Sequence, residues 1–159
     1  MNTIPFDLAG HAPTIQQQLR PLTIYLCGPI QDRSDSECRD WRDWVKQNWP
    51  GECRDPMDRD YRNLFWRPEQ AAGVVEEDLS DINLSDGVLA YYDRPSVGTS
   101  MEIFYAAVVR RKPVFLINAS GVETGYLSPW LLHHVVGIAE KLESATLADV
   151  EHEIRRRIA

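Results

Sequence analysis

The feature that most constrains the fold is a repeated unit, a short unbroken apolar run followed by a segment with one apolar side. Leu22 to Cys27 (LTIYLC), Gly87 to Tyr92 (GVLAYY) and Pro113 to Asn118 (PVFLIN) are such runs. Runs of this length without polar alternation predict strands buried on both faces, as in a parallel sheet. Between the first two, Ser34 or Asp35 can cap a helix in which Cys38, Trp41, Trp44 and Val45 recur at three- and four-residue steps until Pro50-Gly51. Glu52 to Asp55 is a candidate short strand, and Asp55 to Arg62 a charged loop of the kind that often faces ligands. Pro68 suits the first position of a second helix, with Ala71, Ala72, Val75, Leu79 and Ile82 as its buried stripe. A third helix is expected from about Ser100 to Arg111, another after the cap-and-proline signal Ser128-Pro129, and an amphipathic one from Thr146 to Ile158.

Strands alternating with helices predict an α/β domain of three layers, a parallel sheet of about five strands joined by right-handed crossovers. A flavodoxin-like strand order would set Gly28 to Ser34 and Asp93 to Thr99 beside the topological switch point, where ligands bind at the carboxyl edge of the sheet. The 159 residues suit one domain: residues 1–21, mixing Pro, Gly and three glutamines, read as an arm, and 22–159 as the domain. No apolar run approaches the roughly 20 residues of a membrane helix, and no basic segment leads an apolar one, so the cytoplasm is the expected location. Three scattered cysteines, Cys27, Cys38 and Cys53, form neither a disulfide framework nor a metal-ligand pattern. The formal net charge of −7 argues against a polynucleotide partner, which would call for clustered Lys and Arg, and favours a small molecule.

The segment Arg94 to Glu102 (RPSVGTSME) joins a strand to a helix. Free N–H groups and the dipole at that helix start would attract an anion, and Gly98 would let a ligand approach the backbone. A helix from Ser100 would put Glu102 in its first turn, where it either reacts with a ligand or merely complements the dipole. Asp78 and Asp81 share a helix side and either can donate a proton, although a solvated acidic face is the more ordinary explanation and Asp78 lies far from the ligand-proximal helix start. Tyr25 alternates with Ile24 and Leu26, so its phenol either orients Glu102 or packs in the core. His133, His134 and Trp130 read as structural, with Trp130 in the core or an interface.

Taken in order, Tyr25 to Pro29 (YLCGP), Glu77-Asp78-Leu79 with Ser85-Asp86, and Gly98 to Glu102 (GTSME) with Tyr105-Ala106 resemble the nucleoside 2-deoxyribosyltransferase family, which includes 2'-deoxynucleoside 5'-monophosphate N-glycosidases. The resemblance spans roughly Thr23 to Asn118. It implies a flavodoxin-like fold and displacement at the sugar C1' through a glycosyl ester of Glu102, with Asp78 as acid or base at the nucleobase and Tyr25 positioning the nucleophile. It also implies substrate contacts from Gly28, Pro29, Asp55, Ser96, Gly98, Thr99 and Asn118. Members acting on nucleosides tend to carry Asp at the position of Ser96; a serine there resembles the monophosphate N-glycosidases, with Arg94, Arg59 or Arg62 as candidate helpers for the phosphate. Partners implied are a nucleoside or nucleotide, a nucleobase, and further copies of the chain sharing active sites, with Asn118 and the Trp130 region as contributors. No metal or organic cofactor is required. A non-catalytic nucleotide-binding module is the reading from a different class.

Overall fold

A computed structural model describes residues 20–62 and 67–158; most of the expected arm at 1–21 therefore lies outside the described residues. The sheet consists of β1 (Thr23–Cys27), β2 (Glu52–Arg54), β3 (Gly87–Tyr92), β4 (Val114–Asn118) and β5 (Gly137–Ala139). All pairings are parallel and the order is β2-β1-β3-β4-β5, the flavodoxin-like order, with its switch point between β1 and β3.

The helices are α1 (Asp35–Asn48), α2 (Pro68–Leu84), α3 (Val97–Phe104), α4 (Pro129–His134) and α5 (Ser144–Ile158). Ser34 caps α1 in a reciprocal capping box with Glu37, and Asp35 and Glu37 in the first turn complement the dipole. Pro68 takes the first position of α2, where a missing N–H costs nothing.

Strand alternation divides the interior in two. Ile24 and Leu26 of β1 point toward α1 and α5, joining Trp41, Val45, Leu89, Ile117 and Val150. Tyr25 and Cys27 point the other way, joining Ile82, Val88, Ala90, Ile103 and Leu116 beneath α2 and α3. A polar atom on Tyr25 or Cys27 therefore emerges between α2 and α3, at the switch point.

Four sequence expectations change. The third helix starts at Val97 rather than Ser100, because Ser96 supplies the cap, and it runs into a π-helical turn at Tyr105–Val109. On α2, Ala72 and Val75 are exposed and only Ile82 is fully buried, because the inward face runs through Ala71, Val74, Asp78 and Asp81. Trp130 is 70% exposed and so is not core; it stacks on His134 one turn later. The fifth strand, β5, is a three-residue edge inside the apolar run Val135 to Ala139, which is not among the expected strands.

Gly51, ahead of β2, sits where an added Cβ would come within 1.9 Å of the Leu22 carbonyl oxygen. Gly73, inside α2, has nothing within 4 Å of that point. Gly51→Ala is expected to destabilise the domain by about 1–3 kcal/mol through overpacking, and Gly73→Ala to stabilise it by about 1 kcal/mol through helix propensity. Denaturant unfolding of the two variants beside wild type checks both signs.

Candidate active site

Where β1 and β3 part, residues 28–33 and 94–99 bound a cleft of about 710 Å³. That volume lies within the range of small-molecule sites. Glu102 and Asp78 both line it, from α3 and α2.

Glu102 lies at the floor. Tyr25 donates from its hydroxyl to Oε1 at 2.9 Å, and Cys27 donates from Sγ to Oε2 at 3.0 Å. Both donors descend from one face of β1. With Val97 as the first helical residue, Glu102 falls in the second turn of α3 rather than the first, so complementing the helix dipole does not account for it. Burial raises its carboxyl from 4.5 to about 7; the neighbouring Asp78 charge adds to this, while the Cys27 and Tyr25 hydrogen bonds and Arg42 oppose it. Burial likewise pushes the Tyr25 phenol and the Cys27 thiol well above their ordinary values, so both remain protonated donors at neutral pH.

Asp78 reaches the cleft because Val74 and Asp78 occupy the same side of α2, and both line it. The site runs down the α2–α3 face of the sheet, which removes the difficulty of its distance from the helix start. Arg59 donates to Asp78 at 2.8 Å and to Asp81 at 2.6 Å, and also pairs with Glu77. Burial still leaves the Asp78 carboxyl raised against the pull of Arg59. Asp81 pairs with Arg54 and Arg59 and is not among the described residues lining the cleft, so the geometry separates the two acids.

At the other end Ser96 caps α3, its Oγ accepting from the Thr99 N–H at 3.4 Å. Ser96, Gly98 and Thr99 all line the cleft, as do Gly28 and Pro29. The Thr99 hydroxyl is buried without a partner. A Cβ at Gly98 would meet nothing within 4 Å, so the fold itself does not demand glycine there. Arg33, Arg62 and Arg94 also line this end. Arg33 pairs with Glu37 and Asp93, Arg62 with Asp60 and Asp35, and Arg94 with Glu37. Arg59 is engaged by the α2 acids and is not among the described lining residues.

Two expected contacts fall elsewhere. Asp55 is buried, pairing with Arg42 and Lys46 and capping the turn at Met57 through its backbone N–H. Asn118, at the end of β4, donates to the Val122 carbonyl and accepts from the Ser120 hydroxyl. Neither is among the described residues lining the cleft. Conversely, Cys27 escaped notice, although its two-residue spacing from Tyr25 puts it on the same strand face. Arg42 escaped too: fully buried, it donates to the Gly28 carbonyl at 3.0 Å and lies over the Trp41 ring, pinning the cleft's first loop. Among the described residues no cluster of His, Cys, Asp and Glu is arranged to hold a metal ion, and no helix is long and apolar enough to cross a membrane.

Fold and cleft together define a flavodoxin-like α/β domain with two carboxyls converging at the switch point. Residues 24–141 match the family described as nucleoside 2-deoxyribosyltransferase. The chain belongs to that family, and it is an enzyme of the N-glycosyltransferase or N-glycosidase type acting on nucleosides or nucleotides. Its structure is similar to that of a 2-deoxyribosyltransferase from Bacillus psychrosaccharolyticus, at 20% identity and a TM-score of 0.63, covering 81% of this chain and 90% of that one. A conserved protein from Enterococcus faecalis V583 is similar at 15% identity and a TM-score of 0.60, covering 87% and 99%. A flavoenzyme NAD(P)H:(acceptor) oxidoreductase from Paracoccus denitrificans has the same fold at 17% identity and a TM-score of 0.52, covering 86% and 97%. A comparison with curated proteins finds no match.

The raised carboxyl makes Glu102 a load on the fold once it ionises. Below pH 4.5 it is protonated in both folded and unfolded chains; stability is then lost as pH rises through about 7. At 1.36 kcal/mol per unit, wild type is expected to fall behind Glu102→Gln by up to about 3 kcal/mol between pH 4.5 and 8. Denaturant unfolding of both proteins across that range checks it, and a pH-independent difference would mean that the carboxyl titrates normally.

Proposed function

We propose that the protein is a nucleoside 2-deoxyribosyltransferase that breaks and re-forms the N-glycosidic bond of 2'-deoxynucleosides through a covalent ester of Glu102. The observation carrying this is the Glu102 carboxyl, held on both oxygens by Tyr25 and Cys27 and sharing its cleft with Asp78. A carboxylate so held is aimed without side-chain rearrangement. Its oxygen attacks C1', the C1'–N bond breaks, and the electron pair leaves on the nucleobase. Asp78 supplies the proton that the departing base takes up, and recovers one from the incoming base in the reverse half. Tyr25 stays neutral and positions the nucleophile.

The substrate's 5' end is assigned to the Ser96–Thr99 turn, where α3 offers N–H groups that have no intrahelical partner. A second reading, hydrolysis of 2'-deoxynucleoside 5'-monophosphates by the same residues, is favoured by the serine at this position and by Arg33, Arg62 and Arg94 nearby. Both readings need Glu102, and a binding-only module does not.

Incubation with deoxyinosine plus adenine, and separately with each deoxynucleoside monophosphate, followed by chromatography of the bases, distinguishes them. New deoxyadenosine supports transfer; free base from the monophosphates alone supports hydrolysis; neither, with measurable binding, supports the module. Glu102→Ala is expected to lower the rate by at least about a thousandfold with folding intact, and a near-wild-type rate would end the mechanism.

The active unit is proposed to be a homo-oligomer in a cytoplasmic setting. Val97, Met101, Phe104 and Val108 line one side of α3 and the π turn and are exposed, with His134 between Phe104 and the exposed Trp130. Spacing of three and four residues makes this one apolar stripe, which a second copy of the chain would cover. It lies on the helix carrying Ser96 and Glu102, so covering it would steady the cleft. Met101→Asp is expected to yield monomers in sedimentation velocity, where wild type sediments as an oligomer; a monomeric wild type would remove this proposal.

A further inference from the structure

Cys27 touches the reacting carboxylate, yet the displacement described above assigns it no step. The residue is fully buried on β1. Its Sγ lies 3.0 Å from Glu102 Oε2 and 3.7 Å from the Thr99 carbonyl oxygen. Because the thiol keeps its proton at neutral pH, it is neither nucleophile nor metal ligand, and its single hydrogen is available to one acceptor at a time.

A carboxylate held by one donor retains freedom about its last torsion, which for Glu is broad and roughly two-fold. Tyr25 alone would fix Oε1 and leave the plane of the group loosely set. A second donor on Oε2 sets that plane. A thiol is a weak donor, so it does this while withdrawing less electron density from the oxygen than a hydroxyl would. Once an ester forms, the donor must go elsewhere, since a buried polar group without a partner is costly. Thr99 precedes Glu102 by one helical turn, and its carbonyl is reached by rotating S–H about the Cβ–Sγ bond alone.

We infer that Cys27 is a positioning residue for Glu102, its S–H holding Oε2 in the ionised carboxylate and passing to the Thr99 carbonyl when Oε2 bonds to the sugar. Oε2 is then the bond-forming oxygen. Its lone pair forms the C1'–O bond as the C1'–N pair departs with the base, which takes its proton from Asp78, while Tyr25 remains on Oε1 as the ester carbonyl oxygen. This rests on the reading of Glu102 as nucleophile.

The test compares wild type, Cys27→Ala and Cys27→Ser by two measurements. One is the carboxyl titration of Glu102, followed by ¹³C NMR on glutamate-labelled protein with Glu102→Gln to assign the signal. The other is the pH dependence of kcat and KM on whichever deoxynucleoside or monophosphate the wild type turns over. Loss of the donor should move the Glu102 midpoint of the alanine variant above the wild-type value of about 7, with kcat about tenfold lower near neutral pH and KM within about twofold. The serine variant, which keeps a donor in nearly the same volume, should bring the midpoint back to the wild-type value or below and recover part of kcat. An alanine midpoint and kcat equal to wild type would overturn the proposal. So would a serine midpoint as high as that of alanine. Should the alanine variant not fold, serine decides alone, a midpoint at or below wild type supporting the contact and one above wild type overturning it. The titration needs no turnover, so an inactive wild type with a shifted alanine midpoint would overturn the proposed reaction and leave the thiol contact standing.

Discussion

The site depends on two hydrogen bonds that reach from one strand face to one carboxyl, Tyr25 to Oε1 and Cys27 to Oε2 of Glu102. They require β1 and α3 to be packed in one register, because a one-residue slip of β1 would turn Tyr25 and Cys27 to the opposite core and present Ile24 and Leu26 instead. The register is secured from both directions. Ile24 pairs with Gly87 and Cys27 with Ala90 on β3, while Ile24 pairs with Cys53 on β2. A central strand paired on both sides, with each face buried in its own core, has little freedom to shift the two donors.

Much of this was legible in the sequence. The runs at 22–27, 87–92 and 113–118 announced themselves because strands buried on both faces have no polar alternation to confuse them, and their helical connections fixed the class. β5 was missed because the apolar run Val135 to Ala139 is short, interrupted by Gly137 and directly follows a helix, so it does not stand out as a strand of its own. The start of α3 was misplaced for a definable reason: Pro95 and Gly98 suggest a turn, yet Ser96 caps the helix and Gly98 sits within it. The correction matters, since it moves Glu102 from the first turn to a second-turn position facing β1. The α2 stripe failed for a similar reason. Its inward face carries Asp78 and Asp81, paired with Arg54 and Arg59, and periodicity of apolar residues cannot register a polar face.

Site residues divide along the same line. Glu102, Asp78, Ser96, Gly98, Thr99, Gly28 and Pro29 gather at one cleft, with Tyr25 behind Glu102. Asp55 does not join them, because the buried guanidinium of Arg42 needs a counter-charge and Asp55 supplies it. No local pattern could have revealed that pairing, which depends on α1 and the end of β2 meeting below the Gly28 loop. The fold is equally silent about chemistry. A flavoenzyme shares it at a TM-score of 0.52, so the activity must be argued from what the α2–α3 face presents and not from the sheet order.

That face presents two carboxyls whose surroundings differ in kind. Glu102 is enclosed, with neutral donors on both oxygens, so its charge is costly and burial governs its titration. Asp78 is less enclosed; burial raises its carboxyl too, but against the opposing pull of the Arg59 guanidinium. Both carboxyls are thus raised by burial, and the Asp78 charge adds to the rise of Glu102. In the proposed reaction a nucleobase brought against Asp78 would desolvate that acid further, and the developing positive charge on the sugar would favour the ionised form of Glu102. Both effects suit the proposed roles, Asp78 as the acid at the base and Glu102 as the nucleophile.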